Sequence, residues 1–235
     1  NFYAKVTNLI REYAAQRNIP GGFLYVTPQM QISSSMIAAL NHWRAQIPDE
    51  EDAEDSGYDS DDDHQPLADT KPMLSFLRAR LNNYQGYQDL EDHDSKYELM
   101  SKNLLAYLRE NPQAKVVIFA FFKSTLRYLK ENLAEQSINT ELLIGGLSGP
   151  EKGAVIKSFK NPGGAQVMLS SEVGSEGIDL QFAELLINYD LPWNPMRVEQ
   201  RIGRLDRIGQ KAEKIQIWNF FAEDTIDARI YSMLY

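Results

Sequence analysis

Residues 115–122, with the sequence KVVIFAFF, decide the fold of this chain. Every residue after Lys115 in this stretch is apolar, which is typical of a strand that a parallel sheet covers on both faces. Leucines at helical spacing follow at Leu126, Leu129 and Leu133. A covered strand followed by an amphipathic helix predicts that an alternation of strands and helices begins here.

The alternation continues to the end of the chain. Apolar runs bounded by turn residues predict strands at 140–144, 166–170, 184–188 and 214–220. Helical patterns predict helices at 150–159, from about Pro195, and at 226–234. This spacing predicts the α/β fold class, with a mostly parallel sheet and helices on both faces. Ligands of such sheets bind beyond the carboxyl ends of the strands, so the loops after Ser170 and Asn188 are candidate sites.

The sequence before this sheet is typical of helices. Apolar side chains recur at helical spacing from the start of the chain, at Phe2, Val6, Leu9, Ile10 and Tyr13. Residues 20–22, Pro-Gly-Gly, break this pattern, and a second helix capped by Ser33 is expected after the break. Thr70 and Asp94 are expected to begin two further helices. We therefore expect residues 1–47 to form a helical segment that precedes the sheet.

The formal net charge of −9 belongs to one segment of the chain. Residues 49–63 contain ten carboxylates and no lysine or arginine, and the remaining chain carries 23 acidic against 24 basic residues. Such a run repels itself and buries nothing, so residues 48–66 are expected to form a disordered linker or loop. Alternatively, the run mimics a phosphate backbone and covers a basic groove of the same protein. Residues 67–235 then form the α/β domain.

Composition excludes several classes of site. The chain has no cysteine, which excludes disulfides, thiol catalysis and thiolate zinc sites. Its three histidines, His42, His64 and His93, lack the spacing of metal ligands, so no metal site is expected. No apolar run approaches the roughly 20 residues of a membrane span, which favours a cytoplasmic protein. Because the chain begins at Asn1, we expect it to be a piece of something longer.

The segment most informative about chemistry is residues 198–210, VEQRIGRLDRIGQ. In a helix, Gln200 and Arg204 would lie one turn apart, and Arg201, Arg204 and Arg207 would follow at steps of three and share one side. Guanidinium groups suit phosphate because they are planar, permanently charged and able to donate two hydrogen bonds at once. Alternatively, the segment is a solvated basic face that neighbouring carboxylates neutralise.

The wording of this segment resembles a known family. QRIGRLDRIGQ at 200–210 is similar to the sixth motif of superfamily-two helicases, in the form typical of Swi/Snf DNA-translocating ATPases. Four other stretches resemble family motifs in the same order, the fourth motif at 115–129, the stretch after it at 143–159, the fifth motif at 169–180 and the segment following it at 188–195. The resemblance covers about residues 90–210, and bacterial members associated with RNA polymerase are nearest in wording.

The resemblance implies a RecA-like lobe and a nucleotide site. In this family ATP lies between two RecA-like lobes, and the sixth motif of the second lobe reaches across to it. Arg204 and Arg207 match the arginine fingers, which stabilise charge on the transferred γ-phosphoryl group. Asp179 matches the ribose contact, whereas Arg201 is matched to either a phosphate contact or a carboxylate pair. The nucleotide-side positions implied are Gln200, Arg201, Gly174, Gly177 and Asp179.

The resemblance also implies contacts with the backbone of double-stranded DNA. Hydroxyl groups, amides and lysines of the fourth and fifth motifs touch phosphates, and such contacts position the protein without selecting a sequence. The matching residues are Lys123, Ser124, Ser170 and Ser171. Ser124 is equally a candidate helix cap. Trp193, which follows the fifth motif, is expected either to brace the interface between lobes or to pack in the core.

Two family features are missing from this sequence. It contains no Gly-x-x-x-x-Gly-Lys-Ser/Thr loop to cradle phosphates and no strand ending in Asp-Glu to hold Mg²⁺. The family keeps both in its first lobe, which would bind most of ATP with Mg²⁺. The chain therefore resembles the second motor lobe of a Swi/Snf-like DNA translocase, and the isolated fragment is expected to be inactive.

The partners implied are double-stranded DNA and the first lobe of the same parent chain. A protein partner such as RNA polymerase, or a defence or remodelling complex, is also expected, with nucleoid association in a prokaryote. Two alternatives remain open. One is a non-catalytic interaction module derived from such a lobe, and the other is a strand-separating superfamily-two helicase.

Overall fold

The computed structural model describes residues 2–18, 26–45, 70–192, 194–223 and 225–234. The acidic run at 48–66, the predicted break at 20–22 and Trp193 lie outside the described residues. The helices are α1 (Phe2–Arg17), α2 (Val26–Ser34), α3 (Met36–Arg44), α4 (Thr70–Leu81), α5 (Tyr87–Asp92), α6 (Ser95–Glu110), α7 (Lys123–Glu135), α8 (Gly149–Lys160), α9 (Glu172–Ser175), α10 (Pro195–Leu205) and α11 (Ile226–Leu234). The strands are β1 (Val116–Phe119), β2 (Thr140–Leu143), β3 (Val167–Ser170), β4 (Leu185–Asn188) and β5 (Gln216–Asn219).

The five strands form one sheet in the order β2-β3-β1-β4-β5, with every pairing parallel. Phe119 of β1 pairs with Ser170 of β3 and with Asn188 of β4, so these three strands end at the same level. All four residues of each of these strands are buried, as their apolar runs predict. The predicted parallel sheet with helices on both faces, preceded by a helical segment, is confirmed.

Alternation along β1 assigns its side chains to two cores. Val116 and Ile118 pack with α6 and α7, through residues such as Leu104 and Leu129. Val117 and Phe119 point to the other face and pack with α8 and α10, through residues that include Phe159 and Leu205. Alternate residues of a strand face opposite sides of the sheet, so a strand that is covered on both sides, such as β1, is apolar at successive positions.

The helices before the sheet have an apolar core of their own. It comprises Phe2, Val6, Ile10, Tyr13, Ala14, Ile32, Ala39, Leu40, Trp43, Met73, Leu77 and Leu81. The last three belong to α4, which begins at Thr70 as predicted. Although the sequence division places α4 in the 67–235 domain, its apolar face completes the core of the helical segment.

One helix start was predicted at the wrong serine. Ser33 lies in the last turn of α2, a helix that the sequence pattern did not predict, and the cap of α3 is Ser35. The Ser35 hydroxyl accepts a hydrogen bond from the Ala38 backbone N–H at 3.3 Å. Ser33, Ser34 and Ser35 are equivalent cap candidates in the sequence. Because α2 extends to Ser34, only Ser35 is left to cap α3.

The helix start predicted at Asp94 is confirmed, and the start of α8 has a capping signal that the sequence analysis did not use. Asp94 caps α6 by accepting a hydrogen bond from the Tyr97 backbone N–H at 3.0 Å. Ser148 and Glu151 form a reciprocal capping box at the start of α8. Across the part of the chain that the structure describes, no helix is both long enough and apolar enough to cross a membrane.

Candidate nucleotide site

Helix α10 carries most of the sixth-motif residues, and its first residues form a typical helix N-terminus. The Asn194 side chain accepts from the Met196 N–H at 3.0 Å, and Pro195 occupies the first helical position. The helix buries one face, which includes Arg201, and leaves Gln200 exposed on the other.

The helix begins at Pro195 as predicted, but it covers only part of the segment 198–210. Helix α10 ends at Leu205, where the Asp206 N–H donates to the Ile202 carbonyl at 2.8 Å, so Arg207 lies beyond the helix. The chain turns here because Gln210 folds back and donates from Nε2 to the Leu205 carbonyl at 3.2 Å. That contact satisfies one of the carbonyl groups that a helix end leaves unpaired.

The loop after β3 meets the end of α10. The Leu180 N–H donates to the Arg204 carbonyl at 2.9 Å, and the Gln210 side chain donates to the Ala183 carbonyl at 3.0 Å. These contacts hold the predicted fifth-motif and sixth-motif residues against each other. They come from segments about 25 residues apart in sequence.

Arg204 is half-buried at this junction. Its Nη1 donates to the Ser175 carbonyl at 2.7 Å, whereas its buried Nε–H has no hydrogen-bond partner among the described residues. Burial lowers the pKa of the Arg204 guanidinium, and Arg207 lowers it further, while Glu172 and Glu176 oppose the shift. An arginine remains charged at neutral pH. Arg204 is therefore a cation whose Nε–H donor is not satisfied.

Arg207 lies at the surface beside Arg204. Its Nε donates to the Gly203 carbonyl at 2.9 Å, and its Nη1 pairs with the Asp179 carboxylate. The side chains of Arg207 and Asp179 are 46% and 53% exposed. An ion pair this exposed contributes less than about 1 kcal/mol, so a more strongly charged ligand can displace it.

Two glycines fix the path of the loop. A Cβ at Gly174 would lie 2.1 Å from the Leu143 carbonyl oxygen. Any side chain at this position would therefore collide with the backbone. Gly177 has φ of +70°, in the left-handed region that glycine adopts without strain. The Ser171 hydroxyl accepts from the Gly174 N–H at 3.1 Å and caps the short helix α9.

Arg201 has a wholly internal environment. It is fully buried, and its Nε donates to the Glu172 carboxylate. Its Nη1 donates to the Asn188 side chain at 2.8 Å and to the Asp190 carbonyl at 2.9 Å. Of the two roles that the resemblance allowed, this structure gives Arg201 the carboxylate pair, and a phosphate contact stays a prediction.

Sequence reasoning missed the residues that hold Arg201. Glu172 lies inside the fifth motif, and Asn188 is the polar residue that ends the buried strand β4. The aromatic rings of Phe119 and Phe121 lie 5.0 and 5.3 Å from the Arg201 guanidinium carbon. The one available signal was Asn188, because an amide at the end of an apolar strand needs a partner.

The predicted DNA contacts are mostly covered. Lys123 is 5% exposed, and Ser170 and Ser171 are fully buried. The Ser170 hydroxyl donates to the Ser171 carbonyl at 3.1 Å, so a DNA contact by either serine remains a prediction for a rearranged loop. Ser124 is partly exposed in the first turn of α7, whose cap residue is Phe122. The alternative role of Ser124 as the helix cap is therefore wrong.

No metal centre is evident at this site. Within the described ranges, no three histidine or carboxylate side chains are grouped closely enough to hold an ion. Asp179 is engaged with Arg207 and Glu172 with Arg201, so these carboxylates neutralise arginines.

Comparisons with known proteins agree with this geometry. Residues 95–209 match the helicase conserved C-terminal domain. The uncharacterized ATP-dependent helicase YqhH of Bacillus subtilis is 41% identical over 121 residues, which are 52% of this chain and 21% of YqhH. The RNA polymerase-associated protein RapA of Pectobacterium atrosepticum is 39% identical over 163 residues, 67% of this chain and 17% of RapA. The chain thus spans about a fifth of the length of these relatives.

A solved structure agrees in fold. The C-terminal part of the Fun30 ATPase domain superposes with a TM-score of 0.58 at 20% identity, covering 98% of this chain and 83% of that one. The match extends over the helices before the sheet as well as the sheet itself. Together these comparisons confirm the resemblance predicted from the motifs: residues 95–209 match the helicase conserved C-terminal domain, and the chain is similar to an ATP-dependent helicase and to an RNA polymerase-associated protein.

Proposed function

We propose that this chain is the second motor lobe of an ATP-dependent translocase on double-stranded DNA. In this proposal Arg204 and Arg207 act on ATP that a first lobe of the same parent chain holds. The observation that carries the proposal is the junction of the β3 loop with the end of α10, where two adjacent guanidinium groups include a buried, unpartnered N–H donor.

The chemistry assigned to this lobe is electrostatic. Negative charge builds up on the γ-phosphoryl group and the leaving oxygen during transfer, and fixed cations stabilise it without moving a proton. Arg204 is already held by Ser175, which limits its reorganisation, whereas Arg207 exchanges Asp179 for phosphate. Asp179, once released, is free to accept from the ribose hydroxyls.

The other nucleotide-side residues shape the site. Gly174 and Gly177 allow the loop backbone to approach ATP closely, and the exposed Gln200 lies on α10 one turn before Arg204. Mg²⁺ neutralises the phosphates when it is bound, and the first lobe would supply its ligands. Arg201 holds α10 in place through Glu172 and Asn188.

DNA is proposed to lie along the loops after β1 and β3. Ser124 has the accessible surface for a phosphate contact, and Lys123, Ser170 and Ser171 would join it once the loops open. Such contacts grip the backbone without selecting a sequence, as movement along DNA requires. The parent would act in the cytoplasm, associated with the nucleoid in a prokaryote. Because some relatives are RNA polymerase-associated proteins, RNA polymerase is a proposed partner.

The test is DNA-stimulated ATP hydrolysis by the full-length parent. Replacing Arg204 or Arg207 with alanine should lower turnover about 10³-fold, the scale that arginine fingers contribute. Arg109→Ala is the matched control, because Arg109 is exposed on α6, which packs on the opposite face of the sheet. Unchanged turnover in both finger variants would favour a non-catalytic interaction module. Strand separation by the wild-type parent would favour a helicase.

A further inference from the structure

Asp190 lies in the turn between β4 and α10 and is 3% exposed. One carboxylate oxygen accepts from the Phe121 N–H at 2.9 Å and from the Ser34 hydroxyl at 2.8 Å. The other oxygen lies 3.4 Å from the Lys96 ammonium. This one side chain therefore joins the loop after β1, the end of α2 and the start of α6.

Lys96 has two roles in the same place. Its ammonium group donates to the carbonyls of Ser33 and Ser34 at 2.9 and 3.1 Å. These two serines are the last residues of α2. A cation at the end of a helix satisfies unpaired carbonyls and opposes the negative end of the helix dipole. Lys96 also neutralises Asp190, so α2 and Asp190 share one counter-charge.

The hydroxyl groups of this cluster can adopt only one hydrogen-bond direction. Ser34 Oγ lies 2.7 Å from Thr125 Oγ1, and both residues are 1% exposed. The Ser34 hydroxyl has a single hydrogen, which it donates to Asp190, so Thr125 must donate to Ser34. We call Ser34, Lys96, Thr125 and Asp190 the buried node.

The buried node is connected to the helix that carries the proposed fingers. The Asp190 backbone carbonyl accepts from Arg201 Nη1 at 2.9 Å, and Arg201 lies on α10 one turn before Arg204. A continuous series of hydrogen bonds thus runs from α2 through Ser34, Asp190 and Arg201 to α10. Directional bonds between buried groups fix relative position more strictly than apolar packing does.

We propose that Asp190 is a positioning residue, through which the helices before the sheet set the location of α10 and hence of Arg204 and Arg207. The effect on ATP turnover rests on the proposed function, whereas the mechanical link from α2 to the two loops does not. Asp190 itself touches neither nucleotide nor DNA in this account.

The first experiment tests the mechanical link in the 235-residue chain by amide hydrogen exchange. Ser34→Ala removes one hydrogen bond to Asp190, and exchange should rise about fivefold to tenfold at 120–125 and 189–198. Exchange in α8 should not change. Ser101→Ala is the matched control, because the buried Ser101 hydroxyl donates within its own helix to the Glu98 carbonyl.

The second experiment tests the consequence in the full-length parent. Asp190→Asn should lower kcat for DNA-stimulated ATP hydrolysis about tenfold per folded molecule, with KM for ATP unchanged, because Asp190 does not bind ATP. Asp94→Asn is the control, since asparagine also caps helices and the side-chain hydrogen bonds of Asp94 go to Tyr97 and Tyr128, which are outside the buried node. Where Asp190→Asn does not fold, Ser34→Ala supplies the same measurement with a smaller fall.

The outcomes separate the two proposals. Exchange in Ser34→Ala that rises at both 120–125 and 189–198 would uphold the mechanical link. If the wild-type parent nevertheless hydrolysed no ATP, the proposed function would be overturned and the link would stand. Exchange that rises only within α2 would overturn the link. An unchanged kcat for Asp190→Asn in an active parent would overturn the positioning role, and a fall in melting temperature alone would do the same.

Discussion

The charged groups of this lobe occupy two contrasting regions, although Arg201 of one and Arg207 of the other are only six positions apart in the chain. Arg201 and the buried node are paired in the interior, although Arg201 Nη2 has no hydrogen-bond partner among the described residues, while Arg207 and Asp179 form a pair that is about half exposed. Arg204 lies between these regions, with one donor paired and one unpaired. One motif therefore supplies both the arginine that holds the helix and the arginines available to a ligand.

The largest contrast is expected for Arg201→Met against Arg207→Met in the 235-residue chain. Removing Arg201 leaves Glu172 as an uncompensated charge and Asn188 without its partner, which should lower the free energy of unfolding by about 3–5 kcal/mol. Arg207→Met should lower it by less than about 0.5 kcal/mol. Urea denaturation measures both. Equal effects would remove the distinction between the two regions.

The loop that separates the two regions gives the next effect. Gly174→Ala places a methyl group against the Leu143 carbonyl and should cost roughly 2–3 kcal/mol of unfolding free energy. Gly177→Ala should cost about 1 kcal/mol through its positive φ alone. Gly153→Ala serves as control, because it has open space within α8 and should be stabilising. Thermal unfolding of the three variants checks this order.

The interior region should also respond to pH. The pKa of Asp227 is raised from 3.8 to about 7, chiefly because the carboxyl group is buried; Lys96 opposes this shift and Asp190 adds to it. The folded chain therefore binds this proton more tightly than the unfolded chain, so stability falls as pH rises towards 7. Between about pH 5 and pH 8 the loss should be roughly 2 kcal/mol. Asp227→Asn should remove that part of the pH dependence, and an identical profile would contradict the assignment.

The surface pair should give the smallest effect. Asp179→Asn should change the free energy of unfolding by less than about 0.5 kcal/mol, because solvent and salt screen an exposed pair. A loss above about 2 kcal/mol, measured by urea denaturation, would show that the pair is structural and not available for exchange with phosphate.

The fold from residue 115 onward was predictable because apolar runs and turn residues mark its strands locally. The helix α2 was not, since VTPQMQISS has little apolar periodicity and its end is completed by Lys96, 62 residues away. The same limit applies to the site. The spacing of the arginines predicted that they share one side of a helix. It could not predict that Arg201 is buried, because its partners Glu172 and Asn188 come from other parts of the chain. The end of α10 likewise depends on Gln210 folding back.

The most direct test of the account is kcat for ATP in the full-length parent carrying Arg204→Ala, at saturating ATP and DNA. We expect kcat to fall about 10³-fold while the urea midpoint stays close to that of the wild type. Turnover within twofold of the wild type, in a variant shown to be folded, would contradict the claim that this arginine acts on ATP.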